Sequence, residues 1–166
     1  IASCLVGSEM CIRDRTDSYK TYVIEEKEDQ TMSIEKNNDV QLYTVLESIN
    51  ELTNDSMCVL NHLFVNEGNE PQFESKFLKR TKYLQDVPGF KALRFLRPQT
   101  KHRHYIILTL WKDRQSFYDW QSSDAYGKTH KKRGTKQGVD NKIVNRDLSY
   151  NVRIELANLE TSIDID

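Results

Sequence analysis

The stretch SMCVLNHLFVN, residues 56–66, decides how the rest of the chain is interpreted. It has the length of a strand and is rich in β-branched and aromatic residues. A half-solvated antiparallel strand would alternate apolar and polar residues. Here both faces are apolar, one carrying Met57, Val59, Leu63 and Val65 and the other Cys58, Leu60 and Phe64. We therefore expect both faces of the sheet around this strand to be covered.

The chain after this stretch predicts two helical regions and three further strands. Pro71 suits the first turn of a helix, and Asp113 can cap another. In chain order the predicted elements are a strand at 56–66, a helix at 68–85, strands at 90–98 and 105–111 joined by a polar loop at 99–104, a helix at 114–121, a short helix at 124–133 and a strand at 149–159. The order β-α-β-β-α-β predicts an α+β, ferredoxin-like fold, with helices on one face of an antiparallel sheet.

Residues 17–56 differ in charge from the rest of the chain and predict a small N-terminal β/α module. They carry 10 acidic and 3 basic residues, a net charge of −7, whereas residues 57–166 carry a net charge of +6. The pattern predicts a β-hairpin, starting at Tyr22 and returning at Met32, followed by a helix whose apolar residues are Val45, Leu46, Ile49 and Leu52. The module is too small to bury a good core alone. We expect it, or a second subunit, to dock on the sheet face that lacks helices, and the chain to be a monomer or a homodimer.

The two ends of the chain are set apart from these units. SCLVGSEMCIRDR, within residues 1–15, resembles the translated remnant of a sequencing-library adapter, and we expect 1–15 to be a disordered or artefactual leader. The ferredoxin-like domain is predicted at 57–159, and 160–166 form a tail. Outside the leader the only cysteine is Cys58, which favours a reducing, cytoplasmic location. No apolar run approaches the ~20 residues of a membrane-spanning helix.

Several common functional motifs are missing from the sequence. It contains no phosphate-binding glycine fingerprint, no Cys-x-x-Cys pair and no His-Glu-x-x-His helix. The basic run KKRGTK (131–136) could contact phosphates, but the pI is about 6.5, whereas nucleic-acid-binding domains typically exceed ~9. We therefore predict no nucleic-acid partner.

Three residues stand out as candidates for a binding or catalytic site. Asn61 interrupts an apolar strand, where it is either satisfied by backbone or water or aimed at a ligand between sheet and helices. Trp120 follows Phe117 by one turn, which is also typical of ordinary core packing. His130 lies among Lys131, Lys132 and Arg133. It is either part of a solvated basic helix end or an imidazole ligand beside cations that hold carboxylates or phosphates.

Five segments together resemble the haem-degrading monooxygenases of the antibiotic biosynthesis monooxygenase superfamily, and most of all their HmoB type. In order they are VLNHLFV, PGFKALRFLRP, YIILTLW, FYDWQSS and HKKRGTKQGVDN. The resemblance covers about residues 57–156 and is weaker in residues 17–56. The signal transduction protein TRAP resembles the chain in overall organisation.

The resemblance implies roles for the three candidates, because that family uses an Asn on its first strand, a Trp, and a His ten residues later. His130 would be the axial ligand of the haem iron, with Lys131, Lys132 and Arg133 steadying the propionates. Asn61 would donate a hydrogen bond to dioxygen on the opposite haem face. Trp120 would press against the porphyrin and bend it.

The expected activity is therefore that of a haem-degrading monooxygenase that opens the porphyrin ring and releases iron. Haem would be both substrate and cofactor, dioxygen the oxidant, and an external reductase the source of electrons. The alternative is a non-enzymatic haem-carrying or regulatory protein of the same fold, because relatives such as TRAP keep the fold without necessarily keeping the three residues.

Overall fold

A computed structural model describes residues 9–13, 21–53, 56–100, 103–123 and 142–156 of the chain. These ranges form an α+β structure, as predicted. In chain order its elements are β1 (Glu9–Arg13), β2 (Thr21–Lys27), β3 (Thr31–Lys36), β4 (Asp39–Ile49), β5 (Met57–Val65), α1 (Glu70–Leu78), a 3-10 helix (Thr81–Asp86), β6 (Phe90–Pro98), β7 (His104–Trp111), α2 (Arg114–Gln121) and β8 (Val144–Leu156).

Both α-helices begin where their sequence signals lie. Pro71 occupies the first turn of α1, where a missing N–H costs no helical hydrogen bond. Asp113 caps α2, since its carboxylate accepts hydrogen bonds from the backbone N–H and the hydroxyl of Ser116, both at 2.8 Å. These two bonds hold the pKa of the Asp113 carboxyl below its usual value. The predicted helix over 68–85 is divided, because α1 ends at Leu78 and the chain then tightens into the 3-10 helix.

The described strands form one antiparallel sheet that closes into a barrel, in the order β1-β2-β3-β4-β6-β7-β5-β8. Its second half, β6-β7-β5-β8 with α1 and α2, is the predicted ferredoxin-like unit. The N-terminal strands extend the same sheet, because β4 pairs with β6. Strand β5 lies centrally, with β7 on one side and β8 on the other.

The interior of the barrel is the larger core of the protein. The N-terminal strands close over the face of β5 that carries Cys58 and Leu60, so the expectation that the helix-free face of β5 is covered is confirmed. Burial raises the pKa of the Cys58 thiol above its usual range. The buried members of this core are Tyr22, Ile24, Met32, Ile34, Tyr43, Cys58, Leu60, Ala92, Leu96, Ile106, Leu108, Leu110 and Ile154.

The helix predicted after the N-terminal hairpin was wrong, because residues 39–49 form strand β4. The register of β4 against β6 shifts between Val45 and Glu47. This bulge changes which face the following residues occupy. Val45 therefore packs against the barrel core, whereas Leu46 and Ile49 pack on the outer, helix-bearing side.

Part of the segment predicted to be a leader, residues 9–13, forms strand β1. The artefactual origin of residues 1–15 stays a prediction. β1 pairs with five residues of β2 and with two of β8, which closes the barrel. Backbone hydrogen bonding drives this pairing, and it requires no strong side-chain pattern. The short helix expected at 124–133 and the tail at 160–166 lie outside the described residues.

A nearly buried arginine connects the N-terminal strands to the ferredoxin-like unit. Arg94 on β6 is 5% exposed, and its Nε donates to Glu26 Oε1 on β2 at 2.7 Å. Its Nη1 donates to the carbonyls of Leu93 at 2.7 Å and Asn50 at 2.8 Å. Buried charge is tolerated only when paired and hydrogen-bonded in this way.

We expect Glu26→Gln to lower the free energy of unfolding by about 1–3 kcal/mol, because it removes the charge that pairs with Arg94. Glu25→Gln is the matched control, since Glu25 lies 4.0 Å from the solvent-exposed Lys27. Such surface pairs contribute about 0–1 kcal/mol. Urea unfolding of both variants measures the difference, and equal midpoints would contradict a stabilising role for the Glu26–Arg94 pair.

Candidate functional site

The outer side of the sheet, which carries α1 and α2, is packed in two separate clusters. The tryptophan cluster consists of Met57, Val59, Trp111 and Phe117, with Trp120 packed against it. The phenylalanine cluster consists of Ile49, Val65, Phe73, Leu93, Phe95, Tyr105, Ile143 and Val144. Leu84 and Phe90 pack against both clusters. The two clusters therefore meet near the 3-10 helix and β6. Along β5, the position between Val59 and Leu63 belongs to neither cluster.

Asn61 lies between the two clusters on the outer face of β5. Val59, two residues earlier, belongs to the tryptophan cluster, and Leu63, two residues later, packs against the phenylalanine cluster. Asn61 pairs with Ile107 on β7 and with Asn151 on β8. Asn61, Leu63 and Ile107 are only half-buried although β5 is central. Among the described residues, this part of the sheet is thus incompletely covered.

The Asn61 amide has the properties of a group that is available to a ligand. Within the described parts of the chain, its side chain makes no hydrogen bond. A primary amide can donate two hydrogen bonds and accept others. Flanked by Leu63 and Ile107, it suits a flat, mostly apolar molecule that carries one hydrogen-bonding centre.

Trp120 lies on α2 and borders the tryptophan cluster. Its indole stacks on that of Trp111, with ring centroids 5.3 Å apart and planes inclined by 29°. The Phe117 ring, one turn earlier on α2, lies 6.1 Å away. Trp120 is half-buried, whereas Trp111 is fully buried. One face of the Trp120 ring is therefore held by Trp111, and the residue keeps a part that is accessible to a molecule beside the sheet.

The structure places Asn61 and Trp120 on the same side of the sheet but does not place the remaining predicted site residues. His130, Lys131, Lys132 and Arg133 lie outside the described residues. Their predicted roles, and those of Asn61 and Trp120, remain predictions.

The other histidines of the described chain belong to the opposite side of the sheet. His62 is 7% exposed, stacks on Tyr150 with centroids 4.3 Å apart, and has its Nδ1 3.2 Å from the Leu60 carbonyl. His104, the last residue of the polar loop predicted at 99–104, instead begins β7 and is half-buried. Its Nε2 lies 2.8 Å from the Leu148 carbonyl. Neither histidine faces Asn61.

An electrostatic network holds α1 against the sheet at the far side of the phenylalanine cluster. The Tyr105 hydroxyl donates to Glu74 Oε2 at 2.6 Å, and Arg97 pairs with the same carboxylate. Burial and the hydrogen bond to Glu74 raise the pKa of Tyr105 above its usual range. Burial opposes ionisation of Glu74, but the bonds from Arg97 and Tyr105 outweigh it and lower the pKa of that carboxyl. These bonds attach α1 to β6 and β7.

Two residues near Asn61 escaped the sequence-based prediction. Asn151 lies directly opposite Asn61 in the β5–β8 register, and Arg153 lies opposite Val59. Arg153 is half-buried, with its guanidinium above the rings of Phe117 and Tyr118 on α2. Val152, Ile154 and Leu156 alternate along the strand predicted at 149–159. The same alternation assigns Asn151 and Arg153 to the other face, and this is the signal that could have identified them.

Comparisons with known proteins agree with this fold. Residues 56–132 match the family model described as antibiotic biosynthesis monooxygenase. A solved structure of a major regulator of staphylococcal pathogenesis superposes with a TM-score of 0.66 at 19% identity, covering 90% of this chain and 84% of that one. LmHde, a heme-degrading enzyme from Listeria monocytogenes, superposes with a TM-score of 0.64 at 12% identity, covering 92% and 87%.

A third similar structure is the heme-degrader MhuD from Mycobacterium tuberculosis, with two hemes bound in its active site. It has a TM-score of 0.50 and 22% identity, and the match covers 61% of this chain and 96% of that one. At these identities the likeness shows a common fold. In the described ranges no helix is long and apolar enough to cross a membrane. The predicted resemblance to the antibiotic biosynthesis monooxygenase superfamily is confirmed by the match of residues 56–132 to its family model.

Proposed function

We propose that this protein is a haem-degrading monooxygenase that binds haem beside Asn61 and Trp120 and opens the porphyrin ring, releasing iron. The observation that carries the proposal is the half-buried Asn61 amide, which makes no hydrogen bond among the described residues and lies beside the apolar, half-buried Leu63 and Ile107. Haem supplies the oxygen chemistry through its iron, given dioxygen and electrons from a reductase. The surrounding residues bind it, shape it and donate one hydrogen bond.

The described surface fits a haem in shape and polarity. Leu63 and Ile107 offer half-buried apolar side chains on either side of Asn61, and Trp120 offers the edge of a ring that Trp111 holds in place. Apolar walls with a few placed polar groups are typical of cofactor sites. The Asn61 N–H groups would donate to dioxygen, and the Trp120 indole would press on the porphyrin and favour a bent ring.

His130 and the three basic residues after it complete the proposal from the family resemblance. The His130 imidazole would bind iron on the face opposite Asn61. Lys131, Lys132 and Arg133 would pair with the two propionates, since each of these side chains carries a positive charge and N–H groups that donate hydrogen bonds to a carboxylate. The heme-degrading relatives LmHde and MhuD support this assignment through their shared fold.

Aerobic haem turnover tests the proposal directly. Purified protein is titrated with haem and mixed with ascorbate or a reductase in air, while the Soret band and released iron are followed. Catalase is added to remove free hydrogen peroxide, which would bleach haem without any role for the protein. We expect the Soret band to disappear only when protein, reductant and dioxygen are all present. Stable haem under these conditions would contradict the enzymatic function.

A non-enzymatic role is the second candidate, and the staphylococcal regulator favours it. That protein superposes over 90% of this chain and 84% of its own length. A regulator or haem carrier of this fold would hold haem, or none, without consuming it. The same experiment separates the two functions, because a carrier keeps its Soret band under reductant and air.

A further inference from the structure

Arg153 on β8 makes polar and cation–π contacts with two residues of α2. Its guanidinium carbon lies 5.0 Å from the centroid of the Phe117 ring and 5.3 Å from that of Tyr118. Its Nη1 donates to the Tyr118 hydroxyl at 3.2 Å. A planar guanidinium can stack on rings and donate in fixed directions at the same time, which an ammonium group cannot.

The same arginine is connected to the strand position of Asn61. Arg153 Nε donates to Asn151 Oδ1 at 3.3 Å. Asn151 lies directly opposite Asn61 in the β5–β8 register. One row of contacts therefore runs from the Asn61 rung of the sheet through Asn151 and Arg153 to α2, the helix that carries Trp120.

α2 is held in place by tertiary contacts. It is a helix of eight residues, of which Phe117 is buried. Phe117 and Trp120 fix it to Trp111, at one end of β7. Helices this short have little stability of their own in water and are stabilised by tertiary packing. The contacts from Arg153 on β8 attach the helix to the sheet at a second place.

We propose that Arg153 is a positioning residue that sets the distance between Trp120 and Asn61, and hence the width of the haem cavity. That the width of the cavity affects the rate of haem turnover rests on the proposed function. Arg153 acts through α2, and the contacts named here occupy its Nε and Nη1 with protein acceptors. Its removal is expected to alter the position of Trp120 while leaving the iron ligand and the propionate-binding cations in place.

The stacked tryptophans give a measurement of this position that needs no haem. The chain contains two Trp residues, and they form the stacked pair. Near-ultraviolet circular dichroism of the haem-free protein therefore reports their mutual orientation. We expect Arg153→Met to lose most of this signal, to bind haem within about threefold of wild type, and to consume it about tenfold more slowly, which corresponds to ~1.4 kcal/mol.

Two further variants sharpen the assignment. Tyr118→Phe keeps the ring and removes only the hydroxyl acceptor, and we expect it to lose part of the signal and part of the rate. Lys112→Met is the matched control, because Lys112 is an exposed cation next to α2. We expect it to match wild type in both measurements. Trp120→Phe gives the spectrum of the protein without the pair.

Each outcome decides the assignment. An unchanged tryptophan signal in Arg153→Met overturns the positioning role, as does a changed signal with normal turnover. An unchanged signal with much weaker haem binding would make Arg153 a haem contact instead. If wild type does not consume haem, the proposed function fails, while the haem-free spectra still decide whether Arg153 fixes α2. If Arg153→Met does not fold, Tyr118→Phe decides through the same spectrum.

Discussion

His130→Ala is expected to abolish tight haem binding, with affinity falling about a hundredfold or more. Removing a residue that only hydrogen-bonds to a metal ligand already lowers metal affinity about 10–100-fold. His130 is the predicted axial ligand itself. The two histidines that the structure describes cannot replace it. His62 is buried on the barrel side of β5 against Tyr150, and His104 Nε2 lies at the Leu148 carbonyl.

Haem titration followed by the Soret band measures this effect. His104→Ala is the control, together with His102→Ala, and both are expected to bind haem as wild type does. An unchanged Soret band and an unchanged dissociation constant in His130→Ala would show that His130 is not the ligand.

Asn61→Ala is expected to bind haem nearly normally but to consume it about 10–100-fold more slowly. The variant removes the proposed hydrogen bond to dioxygen. A hydrogen bond involving a charged partner contributes about 1.5–3 kcal/mol, at ~1.4 kcal/mol per factor of ten in rate. The structure makes this substitution mild for folding, since Asn61 is half-buried and makes no hydrogen bond within the described chain. Loss of rate would therefore report the donor rather than a damaged sheet.

Asn61→Asp and Trp120→Ala complete this experiment. Asn61→Asp keeps the size of the side chain and removes its N–H groups, so it is expected to be as slow as Asn61→Ala. Trp120→Ala removes the proposed contact with the porphyrin and is expected to turn over haem slowly or not at all. Aerobic decay of the Soret band gives the rates, and near-wild-type rates in both Asn61 variants would argue against a donor at this position.

The ferredoxin-like half could be predicted from the sequence because its signals are local and unbroken. Strand β6 begins and ends at the predicted residues, 90 and 98, since a Gly precedes it and Pro98 ends it. The cap at Asp113 likewise placed the start of α2 correctly. β8 starts at Val144, earlier than predicted. A register shift near His62 interrupts the pairing of β8 with β5, and with it the alternation by which the first part of the strand could be recognised.

Strand β4 could not be recognised because its bulge changes the periodicity. Val45, Leu46 and Ile49 have the spacing of a helix face. In the sheet, the bulge at 45–47 lets Val45 enter the barrel core while Leu46 and Ile49 pack outside. A single sequence does not distinguish a strand whose phase shifts from an amphipathic helix, and only the pairing with β6 resolves it.

The candidate site was predictable in part for a different reason. Asn61 and Trp120 are rare residue types in their settings, and both lie on the outer side of the sheet. Asn151 and Arg153 look like ordinary polar residues of a last strand. Their relation to Asn61 and α2 depends on the register between β5 and β8, which links residues about 90 positions apart and leaves no local signal.

Closing the sheet within one chain has a consequence for self-association. An open sheet presents unpaired backbone groups at its edges, which can recruit strands of other molecules. The barrel removes these edges. Among the described residues β1 and β8 meet through two residue pairs, whereas β5 and β8 meet through eight. We therefore expect the barrel to open first at the β1–β8 junction and to expose two strand edges there, so that aggregation in concentrated solution starts at the shortest described ladder.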